Sequence, residues 1–129
     1  MVRLGVGLFL IAHGLVHLLY LRPRPEDDPR YPFVPEDRWF ARTLGLHSSA
    51  AKVVAGTLAV ACAIALAISG VALLASADLW EPAAVVGSAI SLVLMLLFFH
   101  RWLLIGVAID VAILASVLSL HIPASLFED

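Results

Sequence analysis

Four long apolar runs dominate this chain, and they constrain its fold more than any other feature. They extend from Leu4 to Leu21, Val53 to Ala75, Pro82 to Phe99 and Trp102 to Ile122. Each approaches the ~20 residues that an α-helix needs to cross a hydrocarbon core of about 30 Å. They are too long for strands and too apolar for the surface helices of a water-soluble domain. Composition agrees: 62% of the 129 residues are hydrophobic and only 14% are charged, whereas soluble domains carry roughly 25% charged residues. The mean hydropathy is +1.01. So short a chain has no interior large enough to hide this much apolar surface from water, so lipid must cover part of it.

The expected fold is therefore all-α: a four-helix transmembrane bundle forming one domain over residues 1–129, with helices over about residues 4–21, 48–75, 82–100 and 102–122. Asp78 or Glu81 is placed to cap the third helix, and Pro82 suits its first turn. Pro123 would stop the fourth. Trp39, Trp80, Trp102, Tyr20 and Tyr31 fall at or near the expected ends, where amphipathic rings favour the headgroup zone. The first run is read as a retained helix. Arg22-Pro23-Arg24-Pro25 follows it without a small-residue cleavage site.

Arginine placement predicts orientation in a cell inner membrane. Arg22, Arg24, Arg30, Arg38 and Arg42 lie in the first loop with Lys52 just beyond, and Arg101 lies in the third, on the same side; Arg3 stands alone opposite. By the positive-inside rule both termini lie outside the cytoplasm. The net charge of −2 provides no basic field for nucleic acid. The single cysteine, Cys62, excludes an internal disulfide and any CxxC redox or zinc motif.

The first loop is unusual in length. Five prolines (Pro23, Pro25, Pro29, Pro32 and Pro35) prevent a continuous helix in its first half. Its second half, Glu36 to Leu44, reads as a short interfacial helix with Trp39, Phe40 and Leu44 on one face. Trp39 and Phe40 are the candidate residues of a lid; the alternative is a plain spacer.

Ionisable residues inside the spans are costly, and normally turn toward the bundle interior. They are His13, His17 and Asp110, with His47, His100, Arg101 and His121 near helix ends. His13 and His17 are four apart, hence stacked on one helical face, and Gly14 between them permits close approach of a neighbour. His13 and Asp110 each lie about eight residues from helix ends on the same side of the membrane, so both sit roughly 12 Å down at 1.5 Å per residue. Facing lipid, Asp110 would cost about 2.5–3.5 kcal/mol on insertion scales. Paired with His13 it largely escapes that cost.

The candidate pocket thus comprises His13, His17 and Asp110, with His47 and His100 at its mouth. It suits a proton-carrying pair, a quinone headgroup, a metal held with the help of His17, or only a structural bond joining the first helix to the fourth. No metal centre is expected, because HxxxH supplies two ligands where zinc takes three or four. Gly14 also occupies the glutamate position of a zinc-protease HExxH. No cofactor is required. A haem held by His17 and His100, or by His13 and a partner chain, is an alternative that no spacing demands. Nucleophile and phosphate-binding motifs are absent.

The run Ala12-His13-Gly14-Leu15-Val16-His17, followed by a proline-rich loop reading Tyr31-Pro32-Phe33-Val34-Pro35-Glu36-Asp37-Arg38-Trp39, resembles small four-helix integral membrane proteins of bacteria, DoxX-like in layout. Some DoxX-like proteins are linked to thiol or quinone redox chemistry. The resemblance implies a fold and carries over no catalytic residue. Taken with the missing catalytic motifs, it makes a non-catalytic accessory subunit or small-ligand-binding bundle the leading expectation. A small redox enzyme and a proton-coupled transporter using Asp110 are the alternatives. The bilayer is the expected partner, together with a membrane-protein neighbour or a second copy of the chain.

Overall fold

The computed structural model describes residues 1–120 and is all-helical, with four helices long and apolar enough to cross a membrane. The first span is α1 (Val2–Val16) continued by a 3₁₀ turn (His17–Leu21). In the long connection a 3₁₀ turn (Pro35–Asp37) precedes α2 (Trp39–Thr43). The remaining spans are α3 (Ser48–Leu74), α4 (Trp80–Leu97) and α5 (Leu104–Leu120), the last entered through a 3₁₀ turn (Arg101–Leu103). His121 and Pro123 lie outside the described residues.

The long helix α3 is the central post, with α1 and α4 packed against it and α5 packed on α4. Small residues set these distances. A Cβ on Gly14 would lie 2.9 Å from Leu66 Cβ and 3.2 Å from the Ala63 carbonyl oxygen, so α1 and α3 meet backbone to backbone, as small-residue seams allow. Ala51, Ala55, Ala59, Cys62, Leu66 and Leu73 of α3 are fully buried. By contrast only 11% of the α5 span is buried. Helix α5 is therefore peripheral, and α1 faces it across a gap.

Several boundaries differ from expectation for local reasons. Helix α4 starts at Trp80 rather than Pro82. Its cap position is Leu79 without a side-chain hydrogen bond, so neither Asp78 nor Glu81 caps it. It ends at Leu97, because Phe98 leaves helical geometry, and His100 is outside it. Helix α3 ends in a Schellman motif: Ala77 N–H bonds the Ala72 carbonyl and Ser76 N–H that of Leu73, with Ser76 at φ 57°. The same motif closes α2, where Gly45 at φ 60° supplies the left-handed residue.

The expected helix from Glu36 to Leu44 is broken in two. Arg38 is extended, at φ −91° and ψ 160°, and caps α2, while its guanidinium bonds the carbonyls of Tyr31 and Pro32. The expected shared face is also different. Leu44 is exposed and Trp39 is 53% exposed, whereas Ala41 is buried. The segment nonetheless packs on the bundle. Phe40 meets Phe98 edge to face at 5.7 Å. Trp39 Nε1–H donates to the Leu96 carbonyl at 2.7 Å, and Lys52 pairs with Glu36 at 3.0 Å.

Two aromatics near the helix ends are covered by the protein itself. Trp80 and Tyr20 are each 4% exposed. Trp80 belongs to an apolar cluster with Leu10, Leu66 and Leu73. Tyr20 is covered by Phe33 from the loop, at 5.1 Å.

Candidate functional site

The two histidines of the first span, His13 in α1 and His17 in the 3₁₀ turn that continues it, organise a buried polar cluster. At His17 the helix tightens: its backbone N–H turns to the carbonyl of Gly14, three residues back. The His13 carbonyl meanwhile accepts from the ring Nδ1–H of His17 at 2.9 Å. This local bond aims His17 Nε2 away from its own helix, into the bundle. The rings stand edge to face at 5.2 Å, and Phe9 stacks flat on His13 at 5.8 Å.

His13 Nε2 lies 3.0 Å from Asp110 Oδ1, across from α1 to α5. The other carboxylate oxygen, Oδ2, is hydrogen-bonded to the hydroxyl of Ser91 on α4. Ser91 Oγ in turn lies 2.6 Å from His17 Nε2. The chain of contacts His13–Asp110–Ser91–His17 thus returns to the first span and ties three helices together. Ser91 and Asp110 are wholly buried, His17 is 4% exposed and His13 9%. Cys62 of α3, also fully buried, adjoins Ser91.

The pairing expected between His13 and Asp110 is present as a direct contact. Ser91 was not anticipated. It lies on a stripe of small residues with Gly87 and Ser88 on α4, the one signal that this face of α4 admits close polar neighbours. His47 and His100 are not part of the cluster. Each caps a helical turn through Nδ1, which accepts from the backbone N–H of Ser49 at 3.3 Å and of Trp102 at 3.2 Å respectively. A histidine at the position immediately before the first helical residue is well placed for capping, as serine or aspartate would be. The haem pair His17 with His100 is correspondingly disfavoured, since both rings are engaged elsewhere.

Ligand atoms of His13, His17 and Asp110 lie within 4.8 Å of one another. Asp110 thus adds the third donor that the HxxxH spacing lacked, and these residues can hold a divalent cation. Two neutral imidazoles and one carboxylate would leave such an ion with a net charge of +1 inside an apolar bundle, a costly state.

Two cavities occupy the gap between α1 and α5. One, of about 250 Å³, has His13, His17, Tyr20, Phe33 and Gly106 among its walls. The other, of about 370 Å³, is lined by apolar side chains that include Val6, Phe9, Leu10, Ile113 and Val117. Ile109 lines both. Tyr20 brings a buried hydroxyl that has no hydrogen-bond partner among the described residues. Comparison with protein families, curated proteins and solved structures returns no match.

Proposed function

We propose that this chain is a non-catalytic bundle of a bacterial inner membrane that binds a small amphiphile in the gap between α1 and α5. The observation that carries the reading is the pair of adjoining cavities, one edged by two histidines and the other apolar. Binding sites for small molecules are concave and mostly apolar, with a few convergent polar groups that fix orientation. Here His13 and the unpartnered Tyr20 hydroxyl would meet a hydrogen-bonding ring headgroup beside the His17 ring, and the apolar cavity would take an aliphatic tail. A quinone or phenol with a prenyl-like tail has that chemistry.

The DoxX-like layout and the orientation with both termini outside the cytoplasm belong to this proposal. The outer face of α5, with Leu104, Ile105, Val111 and Leu118 exposed, suits lipid or a neighbouring membrane helix, in keeping with an accessory role.

A photoreactive phenol carrying an alkyl tail, added to the protein in nanodiscs, tests the reading. Labelling concentrated on α1 and α5 around Ile109 is expected. Labelling spread evenly over the lipid-facing sides of all four spans would contradict it.

A further inference from the structure

The contacts of the polar cluster can be counted in hydrogens, and the count does not close with the usual ionisation states. There are four contacts: His17 Nδ1 to the His13 carbonyl, His17 Nε2 to Ser91, Ser91 to Asp110 Oδ2, and Asp110 Oδ1 to His13 Nε2. Each needs one hydrogen between its two heavy atoms. Neutral His13 and His17 bring one each, Ser91 brings one, and an ionised Asp110 brings none. Three hydrogens cannot fill four contacts. Two buried lone pairs would face each other, a cost native structures avoid.

Charge leads to the same result. The groups facing the cluster are His13 and His17 from the first span, Cys62 from α3, Ser91 from α4 and Asp110 from α5. No lysine or arginine occurs within the apolar runs. An ionised Asp110 beside neutral imidazoles would be an uncompensated charge in a low-dielectric interior. One added proton makes the cluster neutral and supplies the missing hydrogen.

We infer that His13, Asp110, Ser91 and His17 together hold one proton, and that it moves between Asp110 and His17 through the Ser91 hydroxyl. With one added proton, only two arrangements fill all four contacts. In one, Asp110 is a neutral acid: its Oδ2–H donates to Ser91 Oγ, and the Ser91 hydroxyl donates to His17 Nε2. In the other, the Ser91 hydroxyl donates to Asp110 Oδ2, and a cationic His17 donates from Nε2 to Ser91 Oγ. Passing from the first to the second breaks the Asp110 O–H and Ser91 O–H bonds. It forms a new O–H on Ser91 and an N–H on His17, leaving an Asp110 carboxylate and a His17 imidazolium with the net charge unchanged. Placing the proton on His13 fails, because Ser91 would then have one hydrogen for two acceptors. In both arrangements His13 is neutral and donates from Nε2.

The inference stands without a ligand. If the cavity binds an amphiphile, a clause that rests on the functional reading above, its headgroup would lie against a group able to give or take a proton.

Spectroscopy on ligand-free protein in lipid at neutral pH tests the inference. Histidine ¹⁵N resonances are expected to show His13 neutral and Nε2-protonated. Alongside this, one of two signatures is expected: a carboxylic acid C=O stretch that disappears in Asp110→Asn, or a His17 imidazolium. Asp110→Asn should also fold and melt like the parent, because an amide fills the same contacts without an added proton. Ionised Asp110 beside two neutral imidazoles would overturn the inference. So would a stoichiometric divalent metal in the purified protein, since the cation would occupy the lone pairs that the hydrogens need. Absence of any amphiphile from the cavity would leave these spectra unchanged, so failure of the binding reading is distinguishable from failure of this one.

Discussion

Asp110 lies 97 positions along the chain from His13, yet its Oδ1 stands 3.0 Å from His13 Nε2. Because α1 and α5 otherwise face each other across cavities, this contact and the Ser91 relay are what tie the outer helix to the first. Asp110→Leu leaves the buried His13 Nε2–H unpaired, while Ser91 keeps its bond to His17, and should cost about 1–3 kcal/mol. Adding His13→Leu should cost less than the sum of the single changes, with a coupling of about 0.6–1.7 kcal/mol, as for other polar pairs inside membranes. Unfolding measurements on the four variants in one detergent check this. Strict additivity would mean that the two residues do not couple.

Gly14 and Gly5 should respond oppositely to a side chain. Gly14→Val forces a branched group against Leu66 and the Ala63 backbone, and should lower stability by about 1–3 kcal/mol. Gly5→Ala meets nothing within 4 Å and should be neutral or stabilising by up to ~1 kcal/mol through helix propensity. Thermal melts of both variants suffice. Equal effects would contradict the close α1–α3 seam.

The loop over residues 33–43 is expected to behave as packed structure. Its ring contacts with Tyr20 and Phe98 and the Trp39 bond to the Leu96 carbonyl hold it down. Amide exchange there should be slower than at residues 26–28. Trp39→Phe, which removes the bond to Leu96, should cost about 0.5–1.5 kcal/mol. Exchange as fast as in the preceding proline-rich stretch would show that the loop is a spacer.

His100 should titrate below the ordinary imidazole value of about 6.5. Burial lowers it first, and the nearby Arg38 and Arg101 charges add to that. Its Nδ1 caps the turn at Arg101–Leu103 only as an acceptor, hence only when neutral. The sign follows: a depressed folded-state value gives stability that is full above the unfolded pKa and lost as pH falls through the folded one. Acidification should therefore loosen the start of α5, and His100→Asn, which caps without titrating in this range, should remove that effect. An NMR titration of His100 at or above the ordinary value would contradict this.

The four long helices could be read from the sequence because an apolar run of that length has few alternatives to a helix, and depth along the helices alone pairs His13 with Asp110. Depth does not give azimuth. His47 and His100 lie toward the same end of the bundle as the cluster but point into local caps, so depth alone places them at a pocket they do not line. Ser91 escaped notice because a serine in an apolar helix is cheap and common, whereas an aspartate is not. Trp80 and Tyr20 do lie near helix ends, but their burial is not legible in the sequence: Trp80 joins an apolar cluster with Leu10, Leu66 and Leu73, and the long loop folds back to bury Tyr20, a tertiary event with no local sequence signal.

Purification of the native protein with its surrounding lipid, followed by solvent extraction and mass spectrometry, tests the central claim most directly. The cavity-filling variant Ile109→Trp, prepared in parallel, supplies the comparison. The account predicts one amphiphile with a hydrogen-bonding ring head, enriched over bulk lipid at about one per chain and lost from Ile109→Trp. An extract from the native protein with the same composition as the bulk membrane would contradict it.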